Sequence, residues 1–328
     1  MADRPRFDKA QIDAYFTRIA LPESERKYSV SALSDEQQLA YLTRLQKHHL
    51  NTVPFENLTL HYSWHRVVDV GPRHLFDKIV GDGAGRGGYC MEVNSLLHTL
   101  LLSLGFRAFL AGARVYRPAP VASYGGFSHC VNIVKIGATN TKYMVDVGFG
   151  ANGPSAPLPL DVGREHVQIA PAAVRLVREP IPQNADQDCK LWIYQHKIGP
   201  EAPWEPMYCF VDFEFILEDI RGMNLSPWKS PTSTFIQRIM VTRFTAKGET
   251  EDNVQLGARA NGLDLRDGFD GALIIYENKL KWRRDGETVL EKQLESEEER
   301  VAALKKYFHV HLSDKDAEAI RGTSTQIR

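Results

Sequence analysis

The stretch Arg86-Gly87-Gly88-Tyr89-Cys90-Met91-Glu92-Val93-Asn94 sets a cysteine between a glycine-rich loop and the first turn of an apolar helix. Unpaired N–H groups and the helix dipole at such a position favour a thiolate over a thiol, so Cys90 is suited to act as a nucleophile at neutral pH. Gly85, Gly87 and Gly88 let the backbone fold tightly and let a substrate approach the sulfur. Taken alone, Cys90 also reads as a small buried residue in a helix start. A nucleophilic cysteine needs a base, and the base needs an orienting group. A strand-like run begins near His129 and reaches Ile136. Gly137 to Thr141 is turn-forming, and Lys142 to Val147 reads as the returning strand. An antiparallel hairpin closing there puts Asp146 within a rung or two of His129, where a carboxylate fixes the imidazole tautomer and stabilises the imidazolium. His129 has a duller reading as a satisfied strand histidine, and Asp146 as a group bonding the turn before Gly148. The coincidence of all three beside glycine-rich loops favours a triad of Cys90, His129 and Asp146.

The elements that must hold these groups change character along the chain. The first hundred residues read as helical. Ile12, Tyr15, Phe16 and Ile19 recur at helix spacing, and Ser34 with Gln37 makes a capping box ahead of Leu39, Leu42 and Leu45. A short helix is expected after Pro72. Cys90, Val93, Leu97, Leu100, Leu101 and Leu104 form the stripe of the next one, which Gly105 terminates. That leucine stripe reads as core, holding the Cys90 end in place. Beyond Gly105 the period falls to two. Strands are expected over Arg107–Tyr116, His129–Ile136, Lys142–Val147, Val167–Val177, Lys190–Lys197 and Met207–Ile216. Six such strands suggest a small antiparallel barrel or a strongly bent sheet. From about Asp219 the reading is mixed, with strands near Ile236–Thr245, Leu273–Glu277 and Lys279–Arg283. A final helix follows, capped by Ser296 and Glu299, with Val301, Leu304 and Phe308 as its buried face. The polar tail from Lys315 is expected to be mobile.

These residues also carry a resemblance. Val53-Pro54-Phe55-Glu56-Asn57-Leu58, the block from Arg86 to Asn94, His129 with its strand, Asp146-Val147-Gly148-Phe149-Gly150 and Ser230-Pro231-Thr232-Ser233-Thr234-Phe235 occur in the order and spacing of one family. The chain resembles the arylamine N-acetyltransferases, in particular microbial and fungal members, from about residue 10 to about residue 312. The resemblance implies an α+β fold with a cysteine-protease-like catalytic core. A helical bundle over 1–105 would carry the nucleophile, an antiparallel β-barrel over 106–218 would carry His129 and Asp146, and an α/β lid with the C-terminal tail would span 219–328.

The implied function is N-acylation of aromatic amines, hydrazines or similar xenobiotics, with acetyl-CoA or malonyl-CoA as acyl donor and a ping-pong passage through an acyl-cysteine. By resemblance the coenzyme contacts fall on Gly125, Gly126, Thr232 and Thr234, within the loop Tyr124–Ser128 and the Ser-Pro-Thr segment, and Phe149 stacks on the amine. Read without the family, both segments are ordinary hydroxyl-rich or glycine-rich turns, and Phe149 is a core residue. Arg86, Glu92, Glu56 and Asn57 read as buried supports, since paired charge persists in an interior only when hydrogen-bonded.

The chain departs from relatives at Ser226, where vertebrate members have an aromatic residue, at the small residues Ala151, Asn152 and Gly153, and at its non-apolar C-terminus. A roomier acceptor pocket is therefore expected. The competing function is a cysteine hydrolase or transglutaminase-like amidase, which uses the same order of Cys, His and Asp but releases product without coenzyme A.

Composition bounds the remaining classes. The 328 residues are 43% hydrophobic and 25% charged, as in an ordinary globular protein. Lys+Arg 40 against Asp+Glu 41 gives a formal net charge of −1, which offers no general attraction to nucleic acid. No apolar run approaches the ~20 residues of a membrane span, and the charged N-terminus lacks the apolar core of a secretory signal. The four cysteines lack metal-ligand spacing, so no metal is expected. A free thiolate suits a reducing compartment, which points to the cytoplasm. Nothing in the sequence indicates an obligate protein partner.

Overall fold

The computed structural model describes residues 4–254 and 265–328. Met1, Ala2 and Asp3, the start of the charged N-terminal stretch, lie outside the described residues. Two helices open the fold, α1 (Lys9–Arg18) and α2 (Asp35–Thr52), each begun by a capping box, Asp8 with Gln11 and Ser34 with Gln37. A two-residue strand β1 (Phe55–Glu56) and a short helix α3 (Pro72–Phe76) follow, the latter continuing through one wider turn to Gly81. Helix α4 runs Cys90–Ser103, and Gly105 ends it with a φ of 88°, a left-handed conformation that glycine adopts without a steric cost.

The apolar stripe expected on α4 forms, and burial extends past it to the polar Glu92, Asn94, Ser95 and Thr99. Val93, Leu96, Leu97, Leu100 and Leu101 are all fully buried, as befits a helix at the centre of the molecule rather than on its surface. They form one core with Phe16, Leu42 and Leu45 of the first two helices.

The sheets supply the opposite wall. An antiparallel sheet contains β2 (Arg107–Arg117), β3 (Ser123–Ile136), β4 (Thr141–Val145), β5 (Leu158–Pro159), β6 (His166–Val167), β7 (Ala173–Glu179), β8 (Leu191–Lys197) and β9 (Glu205–Phe210). Its order is β5-β4-β3-β2-β9-β8-β7-β6, so the two edge strands are neighbours in sequence. The short link between them lets Leu160 N–H reach Lys142 O while Val162 bridges Leu176, and the sheet curls into a nearly closed barrel. Val134, Ile136 and Val145 point from this barrel into the core beneath α4.

Helices α5 (Leu217–Lys229) and α6 (Thr234–Gln237) lead into a second antiparallel sheet of β1, β10 (Met240–Ala246), β11 (Phe269–Tyr276), β12 (Lys279–Arg284) and β13 (Glu287–Gln293). The early strand β1 pairs with β10, so the N-terminal third contributes one edge of the C-terminal sheet. A helix at Glu297–Phe308, started by Ser296 accepting from Glu299 N–H, covers that sheet with Leu304 and Phe308.

Several sequence expectations shift. Strand β3 begins at Ser123, because Tyr124 and Phe127 pair with Tyr116 and Arg114 of β2, so the expected glycine-rich loop Tyr124–Ser128 is part of a strand with local bulges. The run Val167–Val177 is broken by a turn around Ala170–Ala172 where a strand cannot continue through Pro171. The run Met207–Ile216 stops at Phe210, after which Val211 N–H reaches Gly112 O and Phe215 bridges back to Leu110. The tail is docked, not loose. It forms a turn of helix at Asp314–Glu318, buries Ile320 completely, and is tied by Arg300 donating to Thr325 O at 2.8 Å. Isolated apolar residues in a polar tail were the signal for this anchor, and composition alone concealed it.

Candidate active site

Cys90 is the first residue of α4 and sits where the helix meets the barrel. It is 3% exposed, against 1% for both His129 and Asp146. His129 projects from β3, two rungs from the position that Asp146 occupies just past the end of β4, given that Asn132 faces Val145. The structure brings the three together. His129 Nε2 lies 2.8 Å from Asp146 Oδ2, and the Cys90 sulfur interacts with the same imidazole while its thiol donates to Ser128 O at 3.6 Å. With Nε2 on the carboxylate, Nδ1 is the ring nitrogen left to meet the sulfur.

The electrostatics follow from burial and pairing. Burial alone would push the His129 pKa down, but the Asp146 carboxylate and the hydrogen bonds with Asp146 and Cys90 outweigh it and raise the pKa above the ordinary histidine value. Burial pushes Asp146 up, and the imidazole together with its other hydrogen bonds holds it below the usual carboxylate range. The pair therefore favours imidazolium beside carboxylate.

Asp146 is itself held on both oxygens. Oδ1 accepts from Gly148 N–H at 2.7 Å and from Asn94 Nδ2 at 2.9 Å. Asn94 also donates to Cys130 O at 2.8 Å and accepts from Val147 N–H at 3.0 Å. It lies one helical turn beyond Cys90, on the same face of α4, so one helix supplies both the sulfur and the clamp on the carboxylate. In the sequence Asn94 stands out only as the last residue of the Arg86–Asn94 block. Its spacing of four from the cysteine was the available signal. Tyr208 was missed altogether. Its ring stands 4.8 Å from the His129 ring and 4.8 Å from Phe149.

The glycine loop is fixed by buried charge. Glu56 accepts from Arg86 Nε at 3.0 Å and from Gly87 N–H at 3.2 Å, and burial is outweighed by Arg86 and Lys78, which take its pKa down to about 2. Glu92 accepts from Lys78 Nζ at 2.6 Å and from Tyr89 N–H at 3.1 Å, and burial raises its pKa despite the lysine. Arg86 and Glu92 are thus supports, each paired with a partner from an earlier segment. The glycines are dictated by close approach. A Cβ on Gly87 would lie 1.8 Å from Pro54 O, and one on Gly148 would lie 2.6 Å from Cys90 Cα.

A cleft of about 490 Å³ opens over the sulfur, lined by Cys90, His129, Phe149, Gly125, Arg117 and the 226–234 segment. Of the coenzyme candidates, Gly125, Thr232 and Thr234 line it. Gly126 is exposed on β3 and stands outside the lining. Phe149 packs edge-on to His129 at 5.3 Å between centroids, partly buried in the barrel core and partly facing the cleft. Ser226 lines the cleft, whereas Ala151 and Asn152 face a different, small pocket between the two sheets. All four cysteines are free thiols, and Cys130 is buried, its Sγ donating to Cys90 O at 3.6 Å. Among the described residues no cluster of three or more His, Cys, Asp or Glu could hold a metal, and no helix is long and apolar enough to cross a membrane.

Comparison with known proteins bears on what such a site belongs to. The sequence model of the N-acetyltransferase family matches residues 38–251. The N-malonyltransferase FDB2 of Fusarium pseudograminearum is 32% identical over 334 residues, spanning 95% of this chain and 92% of that one. Human arylamine N-acetyltransferase 2 is 31% identical over 246 residues, covering 72% of this chain and 79% of the human protein. Among solved structures, the arylamine N-acetyltransferase of Mycobacterium marinum in complex with CoA superposes with a TM-score of 0.72 at 25% identity, covering 94% and 97% of the two chains. A thiol and an imidazole in one cleft with a carboxylate bonded behind the imidazole, on a fold shared over nearly its whole length with these enzymes, leave one conclusion: this chain is a transferase and belongs to the N-acetyltransferase family.

Proposed function

We propose that this enzyme moves an acyl group from a coenzyme A thioester to an aromatic amine through an acyl-Cys90 intermediate. The observation that carries the reading is Cys90 and His129 side by side in one cleft, with Asp146 hydrogen-bonded behind the imidazole. The thiol proton passes to His129 Nδ1, giving the imidazolium that the Asp146 carboxylate favours, and the sulfur then attacks the thioester carbonyl carbon. The C–S bond to the coenzyme breaks, and His129 returns the proton to the departing thiolate. An amine then attacks the acyl carbon of Cys90, the C–S bond to the enzyme breaks, and the amine proton passes to His129 and on to the freed sulfur. Sulfur-for-sulfur exchange is nearly thermoneutral, and transfer to nitrogen is downhill, so the cycle needs no other energy source.

The cleft suits a phosphate-bearing donor. Arg117 lies beside Gly125, and Ser226, Ser230, Thr232, Ser233 and Thr234 offer hydroxyl groups along one wall. Gly125, Thr232 and Thr234 are assigned to the donor, while Gly126 lacks that support. Phe149, at the ring of His129, is assigned to the amine. The donor is acetyl-CoA or malonyl-CoA, the latter supported by the relative named for malonyl transfer. The division at residues 105/106 and 218/219 into bundle, barrel and lid belongs to the same reading, supported by the change from helices to strands after Gly105. A cytoplasmic site of action accords with four free thiols.

Two-substrate steady-state kinetics test the scheme. Parallel double-reciprocal lines, with free coenzyme A released only in step with amine acylation, are the expected result. Coenzyme A released at full rate without an amine would replace transfer by hydrolysis.

A further inference from the structure

A second cavity, of about 340 Å³, lies behind the nucleophile helix. Its walls include Val70, Leu102, Leu110, Phe215 and Leu217, and its polar floor is Ser95 with His98. Ser95, His98 and Leu102 fall on one face of α4, three and four residues apart. Two features of that floor point to a ligand. Ser95 is 5% exposed, yet its Oγ is buried with no hydrogen-bond partner among the described residues, a condition that native interiors rarely tolerate. His98 is committed on one side only. Its Nδ1 lies 2.9 Å from Asn132 Oδ1. Asn132 Nδ2 donates to Asn94 O at 3.0 Å, which leaves Oδ1 as the acceptor and puts the His98 proton on Nδ1. Nε2 is then an acceptor. Burial holds the His98 pKa down to about 4, so the ring is neutral at physiological pH.

The charge at the mouth is balanced. Arg4 is paired with Glu214, and Glu218 with Arg221. A charged ligand would find no partner there, whereas a neutral aromatic ring would find apolar walls and a polar end. A hydroxyl fits that end better than an amine, since it can donate to His98 Nε2 and, once the buried Ser95 hydroxyl rotates toward the cavity, accept from Ser95 O–H.

We infer that this cavity is a second, non-catalytic binding site for a neutral phenol-type ligand, hydrogen-bonded to His98 and Ser95 and linked to the catalytic carboxylate. The link passes through Asn94: His98 bonds Asn132, Asn132 donates to the Asn94 backbone O, and the Asn94 side chain donates to Asp146 Oδ1. Occupancy of the cavity therefore reaches His129 without contact with the cleft, and binding itself does not depend on the acyl-transfer reading.

The test uses full-length Cys90→Ala protein titrated with 4-methylphenol and followed by 15N NMR of the histidine rings. The His98 Nε2 resonance shifts saturably, and a His129 ring resonance shifts with the same midpoint. Ser95→Ala weakens the binding roughly three- to tenfold. Leu217→Trp, which fills the mouth, abolishes both shifts at that midpoint while the melting temperature is kept. Toluene, which lacks the hydroxyl, shifts His98 at least roughly tenfold less tightly. No saturable His98 shift up to the solubility limit of the phenol would overturn the site. An unchanged affinity in folded Leu217→Trp protein would do the same by placing the phenol elsewhere. A His98 shift with His129 unmoved at that midpoint would overturn the link to the active site.

Discussion

Asn94 and Asp146 show how much of the candidate site depends on buried side chains that hold other side chains in place. Asp146 keeps His129 in one tautomer and favours its charged form, and Asn94 keeps Asp146 in place. Asp146→Asn is expected to lower kcat on the order of 10³–10⁴-fold, because the amide can present a donor where Nε2–H needs an acceptor. Steady-state rates on protein that retains its circular dichroism spectrum check it, and normal turnover would remove Asp146 from the mechanism. Asn94→Ala should cost roughly 10- to 100-fold in kcat, as for other residues that orient a catalytic ligand.

The pair also sets a pH dependence of stability. His129 has a raised native pKa, so its contribution is complete below the unfolded value of 6.5 and is lost as pH climbs through the raised native value. Asp146 has a lowered native pKa, so its contribution is present above 3.8 and fades as pH falls through the lower native value. The melting-temperature gap between wild type and His129→Gln should thus be widest between those limits and narrow on the alkaline side. A gap independent of pH would mean that the pair carries no charge. Cys90, His129 and Asp146 were legible in the sequence because motif and hairpin spacing both constrain them. Tyr208 was not, because it arrives on β9 through the long-range pairing of β9 with β2, which no local pattern encodes.

At the scale of elements, α4 is a rod that presents Cys90 at one end, and its packing sets how precisely. Leu100 is fully buried in the central core, so Leu100→Ala should destabilise the fold by ~2–5 kcal/mol, measured by urea unfolding. A smaller loss would mean that the surroundings collapse into the gap. The loop before α4 depends on the Glu56–Arg86 pair. Glu56→Gln leaves Arg86 buried with a neutral partner and should cost ~3 kcal/mol or more. Helix boundaries were well marked in the sequence by Ser34, Gly105 and Ser296. Strand boundaries were not. The expected loop at Tyr124–Ser128 is strand because β2 offers a partner along that whole length, and such pairing is a property of two segments, not of one.

At the scale of the whole molecule, the polar C-terminal tail closes over the second sheet. Residues 314–328 bury Ile320, bring Thr325 Oγ1 to 3.0 Å from His61 Nδ1 and give Arg300 an acceptor. Truncation after Ser313 should lower the melting temperature by several degrees, since a fully buried isoleucine alone is worth ~1.5–3 kcal/mol. An unchanged melting temperature would return the tail to the loose state that its composition suggested. The bundle, barrel and second sheet meet around a single sulfur, and the account stands on that atom carrying an acyl group. The most direct measurement is the intact mass of the protein after brief exposure to acetyl-CoA and to malonyl-CoA with no amine present. The account predicts a gain of one acyl group, mapped to Cys90 by peptide analysis, absent from Cys90→Ala and discharged on addition of an aniline. A mass unchanged by both donors in folded protein, or an acyl group found on a residue other than Cys90, would contradict it.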